Sequence, residues 1–315
     1  MYHYVRDYRS TRFPDIKGLD VEEFREQLRY IKKFYNVVSM QDVLAWLDGE
    51  SIAPKPLLLT FDDAYLDHFD FVFPELRRLS MQGSFFVPVE AIKEKRILDV
   101  NKIHVLLAVS ADKSALLKEM FRCIDRLRAN DVAIPSQAEC TELSKGRGNR
   151  YDSEDVRLFK QVLQRVLSRP IAQQVLDTLL ESRGLGDLEN LWSEIYMSEN
   201  MIHELKREHM FIGAHGYRHV WLDSLAPVEL KTELEQSVGF LADLEIPSDQ
   251  WTLCYPYGGY NAEVLAEAAR SGFRMALTTK VGVSDRSDRL QIPRLDTNDL
   301  PKLPGASPNA WYYEA

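Results

Sequence analysis

The stretch Leu57–Leu76, LLLTFDDAYLDHFDFVFPEL, constrains the fold more than any other part of the chain. Three leucines, Thr60 and Phe61 run straight into two adjacent aspartates, Asp62 and Asp63, with Pro54 and Pro56 just before them. An apolar run this short, bounded by prolines, is a buried strand rather than a helix. A helix over Phe73–Leu79 follows, then a second strand, SFFVPV at 84–89. Strand, helix and strand in that order imply a parallel α/β sheet or barrel. Loops at the C-terminal ends of such strands gather into sites, and Asp62 and Asp63 fall at one of those ends. Two neighbouring carboxylates repel each other, and burying both without a cation is costly. The plain alternative is a helix N-cap beside one solvated acid.

The same alternation frames the rest of the chain. MYHYV at 1–5 reads as a strand with His3 on the face opposite Tyr2 and Tyr4. Val21–Phe34 carries apolar residues at helical spacing, VVSM at 37–40 is a short strand, and Ser39 caps a helix that runs to Leu47. Further along come the strand MFIGAH at 210–215, a helix from Pro227 to Leu244, and the strand WTLCYP at 251–256. A helix capped by Asn261 and the strands MALTT at 275–279 and LQIPRLD at 290–296 complete the series, and the tail from Pro301 reads as irregular. Between about 98 and 200 the alternation breaks into successive helical segments, with SKGRGNRYDS at 144–153 as a loop. This pattern describes one domain over 1–315 with a helical insertion at 98–200, serving either as a satellite bundle or as a wall beside a site.

Composition excludes several classes. With 45% hydrophobic and 28% charged residues, the 315-residue chain has the make-up of a soluble globular enzyme. A net charge of -9 opposes a nucleic-acid surface. No run of 18 apolar residues exists to span a membrane, and MYHYVRDYRS lacks the apolar core of a signal peptide. Three scattered cysteines, Cys123, Cys140 and Cys254, suit a reducing compartment. The expectation is a cytoplasmic protein.

Two further constellations carry chemistry. HGYRH places His215 and His219 four residues apart, on one face if the turn is helical, and they follow a strand end as Asp63 does. Such a pair alone is as often structural as functional. With the aspartate pair it makes a His-His-Asp metal site, whose open fourth position suits catalytic zinc or another first-row divalent ion. YPYGGYN at 255–261 is a tight turn whose backbone amides are able to hold an oxyanion, or simply a strand-to-helix connection.

TFDD at 60–63, H-x-x-x-H at 215–219 and YPYG at 255–258 resemble, in order and context, the motifs of NodB-type polysaccharide deacetylases, carbohydrate esterase family 4. The resemblance covers most of the chain outside the helical insertion. It implies a distorted (β/α) barrel of seven or eight strands and metal-dependent removal of N-acetyl or other N-acyl groups from an amino sugar or glycan precursor. It implies Asp63, His215 and His219 as metal ligands, Asp62 as catalytic base and the Tyr257 backbone amide as oxyanion donor. Three departures stand out. Ala64 replaces a usual glycine, and Cys254 replaces a usual arginine that orients the base. No histidine follows His219 to protonate the leaving amine. Arg294 resembles an alternative arginine found in one branch of the family, and the acid would come from His3, His104 or water. The insertion, if it stands beside the site, favours a mono- or oligosaccharide conjugate over the interior of a long polymer. Two other functions remain open: a deacetylase fold that binds sugar without turnover, and an amide or formamide hydrolase on a non-sugar substrate.

Overall fold

The computed structural model describes residues 1–129, 133–145 and 152–314. Contacts divide the chain into two compact units. One comprises Met1–Tyr8, Gly18–Arg96 and Trp192–Ala315, and the other Arg9–Lys17 and Ile97–Leu191.

The first unit is built on parallel strands. β1 (Val5–Arg6) pairs with β2 (Leu19–Asp20), and β3 (Asn36–Val37) with β4 (Pro56–Leu57). The main sheet holds β5 (Leu59–Asp62), β6 (Gly83–Val87), β7 (Phe211–Ala214), β8 (Thr252–Cys254) and β9 (Met275–Leu277), side by side in sequence order and all parallel. Single parallel bridges extend it at both edges, Tyr2 to Phe61 and Leu277 to Ile292. Seven chain segments, from Tyr2 through β5–β9 to Ile292, therefore line up in one direction, the curled half-barrel expected of a (β/α) barrel that does not close fully. β6 is buried along its whole length, as a strand covered on both faces must be.

Helices follow the expected signals closely. The helix Val21–Phe34 starts on Asp20, whose side chain accepts from Glu22 N–H, and buries Phe24, Leu28 and Ile31. Ser39 and Asp42 form a capping box for Met40–Leu47. That helix lays Met40, Val43 and Leu44 on Phe86, Phe211, Cys254, Met275 and Leu277 of the sheet. Burying each of these large side chains contributes about 1.5–3 kcal/mol.

Three expectations need correction. The strand expected at 290–296 reduces to one bridge at Ile292, because the next donor toward β9, Arg294 N–H, goes to Lys280 O rather than to Thr278 O. The strand expected at 1–5 pairs with β5 only at Tyr2 and then turns to β2 through Val5 and Arg6. The tail is not wholly irregular: Ala310–Glu314 is a short helix.

The second unit is helical, with Asp99–Val109, Lys113–Arg128, Gln137–Leu143, Glu154–Gln161 and Arg169–Glu181. Leu106, Met120, Ile124, Phe159, Val175 and Leu179 are buried in it. It corresponds to the segment read as an insertion, but Arg9–Lys17 joins it and the helix Glu199–Arg207 belongs to the first unit. Most of the expected loop at 144–153 lies outside the described residues. Among the described residues no helix is long and apolar enough to cross a membrane.

Candidate metal and catalytic site

Asp62 ends β5 and Asp63 is the next residue, its N–H donating to the Phe86 carbonyl of β6 at 3.1 Å. Asp63 and Ala64 then take φ values of 78° and 53°. Left-handed backbone costs a residue with a Cβ about 1–2 kcal/mol. The Ala64 conformation accounts for the glycine that the resemblance leads one to expect there.

His215 directly follows β7, and its N–H donates to the Val87 carbonyl at 2.9 Å. Gly216 at φ 71° and His219 at φ 53° turn the chain sharply. The histidine pair therefore lies on a loop, not on the helical turn its spacing suggested, because an α-helix admits no positive φ. The loop still brings the rings together, with centroids 4.7 Å apart.

Asp63, His215 and His219 converge. Asp63 Oδ1 lies 3.1 Å from His219 Nε2 and 3.5 Å from His215 Nε2, yet accepts no hydrogen bond. One donor atom from each residue lies within 4.8 Å of the other two, and all three residues are buried. His215 Nδ1 stands 2.8 Å from the Cys254 carbonyl. A carbonyl only accepts, so Nδ1 carries the proton and Nε2 turns its lone pair toward Asp63. Burial, with His219 beside it, pushes His215 down to about 4, so the ring is neutral at pH 7, the form that ligates. Burial alone would raise the Asp63 carboxyl, but His219 and His215 hold it below the usual carboxylate range. A bare buried carboxylate oxygen facing two imidazole nitrogens fits a divalent cation, and the N₂O donor set suits zinc or a similar first-row ion.

Asp62 is held differently. Arg294 Nη1 donates to Asp62 Oδ1 at 2.9 Å and Nη2 to Oδ2 at 2.8 Å, while Arg294 Nε donates to the Thr278 carbonyl. Burial opposes charge on both partners, but their attraction outweighs it: Asp62 sits well below the ordinary carboxylate range and Arg294 above its own. Such a two-pronged pair fixes the carboxylate plane as well as its charge. The Cys254 thiol donates to Asp62 Oδ2 at 3.4 Å and accepts from Arg294 Nη2 at 3.0 Å. Asp62, His215 and Cys254 also cluster within 4.8 Å, but the guanidinium already supplies the positive charge there.

Tyr257 sits in the turn Pro256–Gly258 that follows β8, with φ 57°. Its ring stands edge-on to His219 at 4.6 Å and stacks on Trp221 at 4.7 Å. Gly258 takes φ 70°, and a Cβ there would come 2.1 Å from Thr279 Oγ1. The turn is locked where the chain passes the metal trio.

His3 also reaches this place. Its Nε2 is 3.9 Å from Asp62 Oδ2, and its side chain remains 45% exposed. His104 belongs to the second unit, where it lines a cavity of about 340 Å³ with Lys17, Lys113, Asp152 and Lys160. Sequence reasoning missed the thiol of Cys254 in the ion pair and His68, whose Nε2 lies 2.6 Å from the His3 carbonyl. No spacing marked His68; the departure from the family arginine was the only signal at position 254.

Residues 173–276 match the family described as polysaccharide deacetylase. Over 91 residues the chain is 29% identical to "Putative polysaccharide deacetylase YxkH" of Bacillus subtilis (strain 168), a match spanning 29% of this chain and only 32% of that relative. Among solved structures, the fold is similar to "Streptococcus pyogenes deacetylase PplD in complex with acetate" at TM-score 0.56 and 17% identity, covering 94% of this chain and 89% of that one. It is also similar to IcaB from Ammonifex degensii at TM-score 0.54 and 17% identity, covering 93% and 88%. In its motifs, its matched segment and its fold, the chain resembles the polysaccharide deacetylases of the NodB type.

Proposed function

We propose that the chain is a metal-dependent N-deacetylase acting on an acylated amino sugar of a glycan or glycan precursor. The observation that carries this reading is the meeting of Asp63 Oδ1 with His215 Nε2 and His219 Nε2 beside a second carboxylate locked by Arg294. In this reading Asp63, His215 and His219 hold the ion. A bound divalent cation supplies Lewis acidity, polarising the acyl carbonyl and acidifying water.

The remaining steps belong to the chain's own groups. Asp62, ionised and oriented by Arg294, takes the proton of the attacking water as its oxygen bonds to the acyl carbon. The Tyr257 backbone amide steadies the charge that develops on the carbonyl oxygen. His3 then gives a proton to the sugar nitrogen as the C–N bond breaks, leaving an amine and a carboxylate. Its distance from Asp62 and its exposure favour His3 over His104 for this role. The Streptococcus pyogenes relative was solved with acetate, and we extend that to acetyl as the group removed here.

The test is release of acetate from N-acetylglucosamine oligomers by zinc-loaded protein, compared with chelator-stripped protein. Equal rates in both, or no acetate from the loaded enzyme, would overturn the reading.

A further inference from the structure

Beyond Tyr2 the first segment loses its pairing with β5. Tyr2 N–H donates to Thr60 O and Asp62 N–H to Tyr2 O, and Tyr2 is the last residue of this segment bridged to β5. Tyr4 O accepts from Leu19 on β2. The His3 carbonyl lies between these two ladders and takes its hydrogen from an imidazole: His68 Nε2 donates to it at 2.6 Å.

His68 has no exposed surface and is packed among the rings of Phe61, Tyr65 and Phe85, at centroid distances of 5.5, 5.7 and 6.0 Å. Its Nδ1 is buried without a hydrogen bond. Burying a polar ring with one nitrogen unsatisfied is costly, and an apolar side chain would pack there at no such cost. The chain also bends its helix to place the ring, since His68–Val72 is a π-turn leading into Phe73–Leu79. Burial holds His68 at about 4, so the ring stays neutral at pH 7 with one N–H, and that N–H goes to His3.

We propose that His68 is a positioning residue: its buried imidazole fixes the His3 backbone so that the His3 side chain stays beside Asp62, facing the departing nitrogen. The proposal rests on the deacetylase reading and on His3 as the proton donor. It makes the hydrogen bond to a main-chain carbonyl part of the acid's geometry.

The test uses leaving groups of different basicity. An amine departs only with a proton, whereas nitrophenolate departs without one. Turnover is measured on the N-acetylglucosamine tetramer and on p-nitrophenyl acetate, with zinc content and circular dichroism checked for each variant. In His68→Phe the amide-to-ester ratio should fall about tenfold, and His68→Gln, which keeps a donor, should recover most of it. In a His3→Ala background, His68→Phe should change the ratio by less than about twofold, because the two act as one unit. If His68→Phe does not fold, His68→Leu gives the same reading. A wild-type ratio in the Phe or Leu variant, with His3→Ala still lowering it, would return His68 to packing alone and leave the deacetylase reading intact. A wild-type protein that releases no acetate would remove the deacetylase reading and this inference with it.

Discussion

Arg294 meets Asp62 across 232 residues of sequence with two parallel hydrogen bonds, 2.9 and 2.8 Å long. Both partners are buried, Asp62 at 1% and Arg294 at 6% exposure. Its consequences for charge, rate and stability are each measurable.

Asp62→Asn removes the basicity at nearly constant shape. Turnover should fall by about 10²- to 10⁴-fold, while zinc content stays at the wild-type level. Metal analysis alongside steady-state rates checks both halves, and a wild-type rate would refute the role of base.

Arg294→Met leaves a buried carboxylate without its partner. Destabilisation of about 3–5 kcal/mol is expected in urea melts. The pH dependence should move as well. Asp62 now titrates below its ordinary value, so the stabilisation from the pair is present above pH 4 and disappears as pH falls through the folded value. Without the guanidinium that value rises, and the acid limb of the rate profile should shift to higher pH.

Asp63→Ala and His215→Ala each take one donor from the trio. Both should lose zinc at protein concentrations where the wild type retains it, and zinc should no longer raise their melting temperature. Full metal retention in both variants would exclude the site.

His3→Ala should lower amide turnover by about 10²-fold or more, in keeping with loss of a general acid. His104→Ala should stay within about threefold of wild type. The reverse ranking would hand the proton transfer to the second unit.

His68 supplies a pH signature of folding. Its folded value, about 4, lies below the 6.5 of a free histidine. The unfolded chain therefore binds the proton first as pH drops, and stability present above pH 6.5 is lost between 6.5 and 4. The loss is of order 3 kcal/mol. His68→Gln should remove this share of the pH dependence in denaturant melts taken across the window and leave the share that His215, also held at about 4, contributes.

Much of this arrangement was legible in the sequence because it rests on local signals. The short apolar run ending at Asp62, the capping box at Ser39 and the Asn261 cap each specify an element from a few adjacent residues. Alternation also placed His3 opposite the buried Tyr2 and Tyr4. The histidine loop was misread because spacing does not report φ, and a four-residue interval suits a turn through Gly216 as well as a helix. The His68 contact depends on a π-turn and on a carbonyl left between two ladders, and neither is encoded in periodicity. Arg294 was inferred from the family resemblance. Physical reasoning alone asked for a positive charge beside the aspartates without saying where in the chain it would come from.

The His215 tautomer is set by the main-chain carbonyl of Cys254, not by its side chain. Any residue at 254 presents that same oxygen, so mutation there leaves the imidazole's proton where it is. Asp62, meanwhile, takes its counter-ion from another segment of the barrel. Position 254 is thus relieved of both duties: a substitution there alters neither which imidazole nitrogen carries the proton nor which segment supplies the cation facing Asp62.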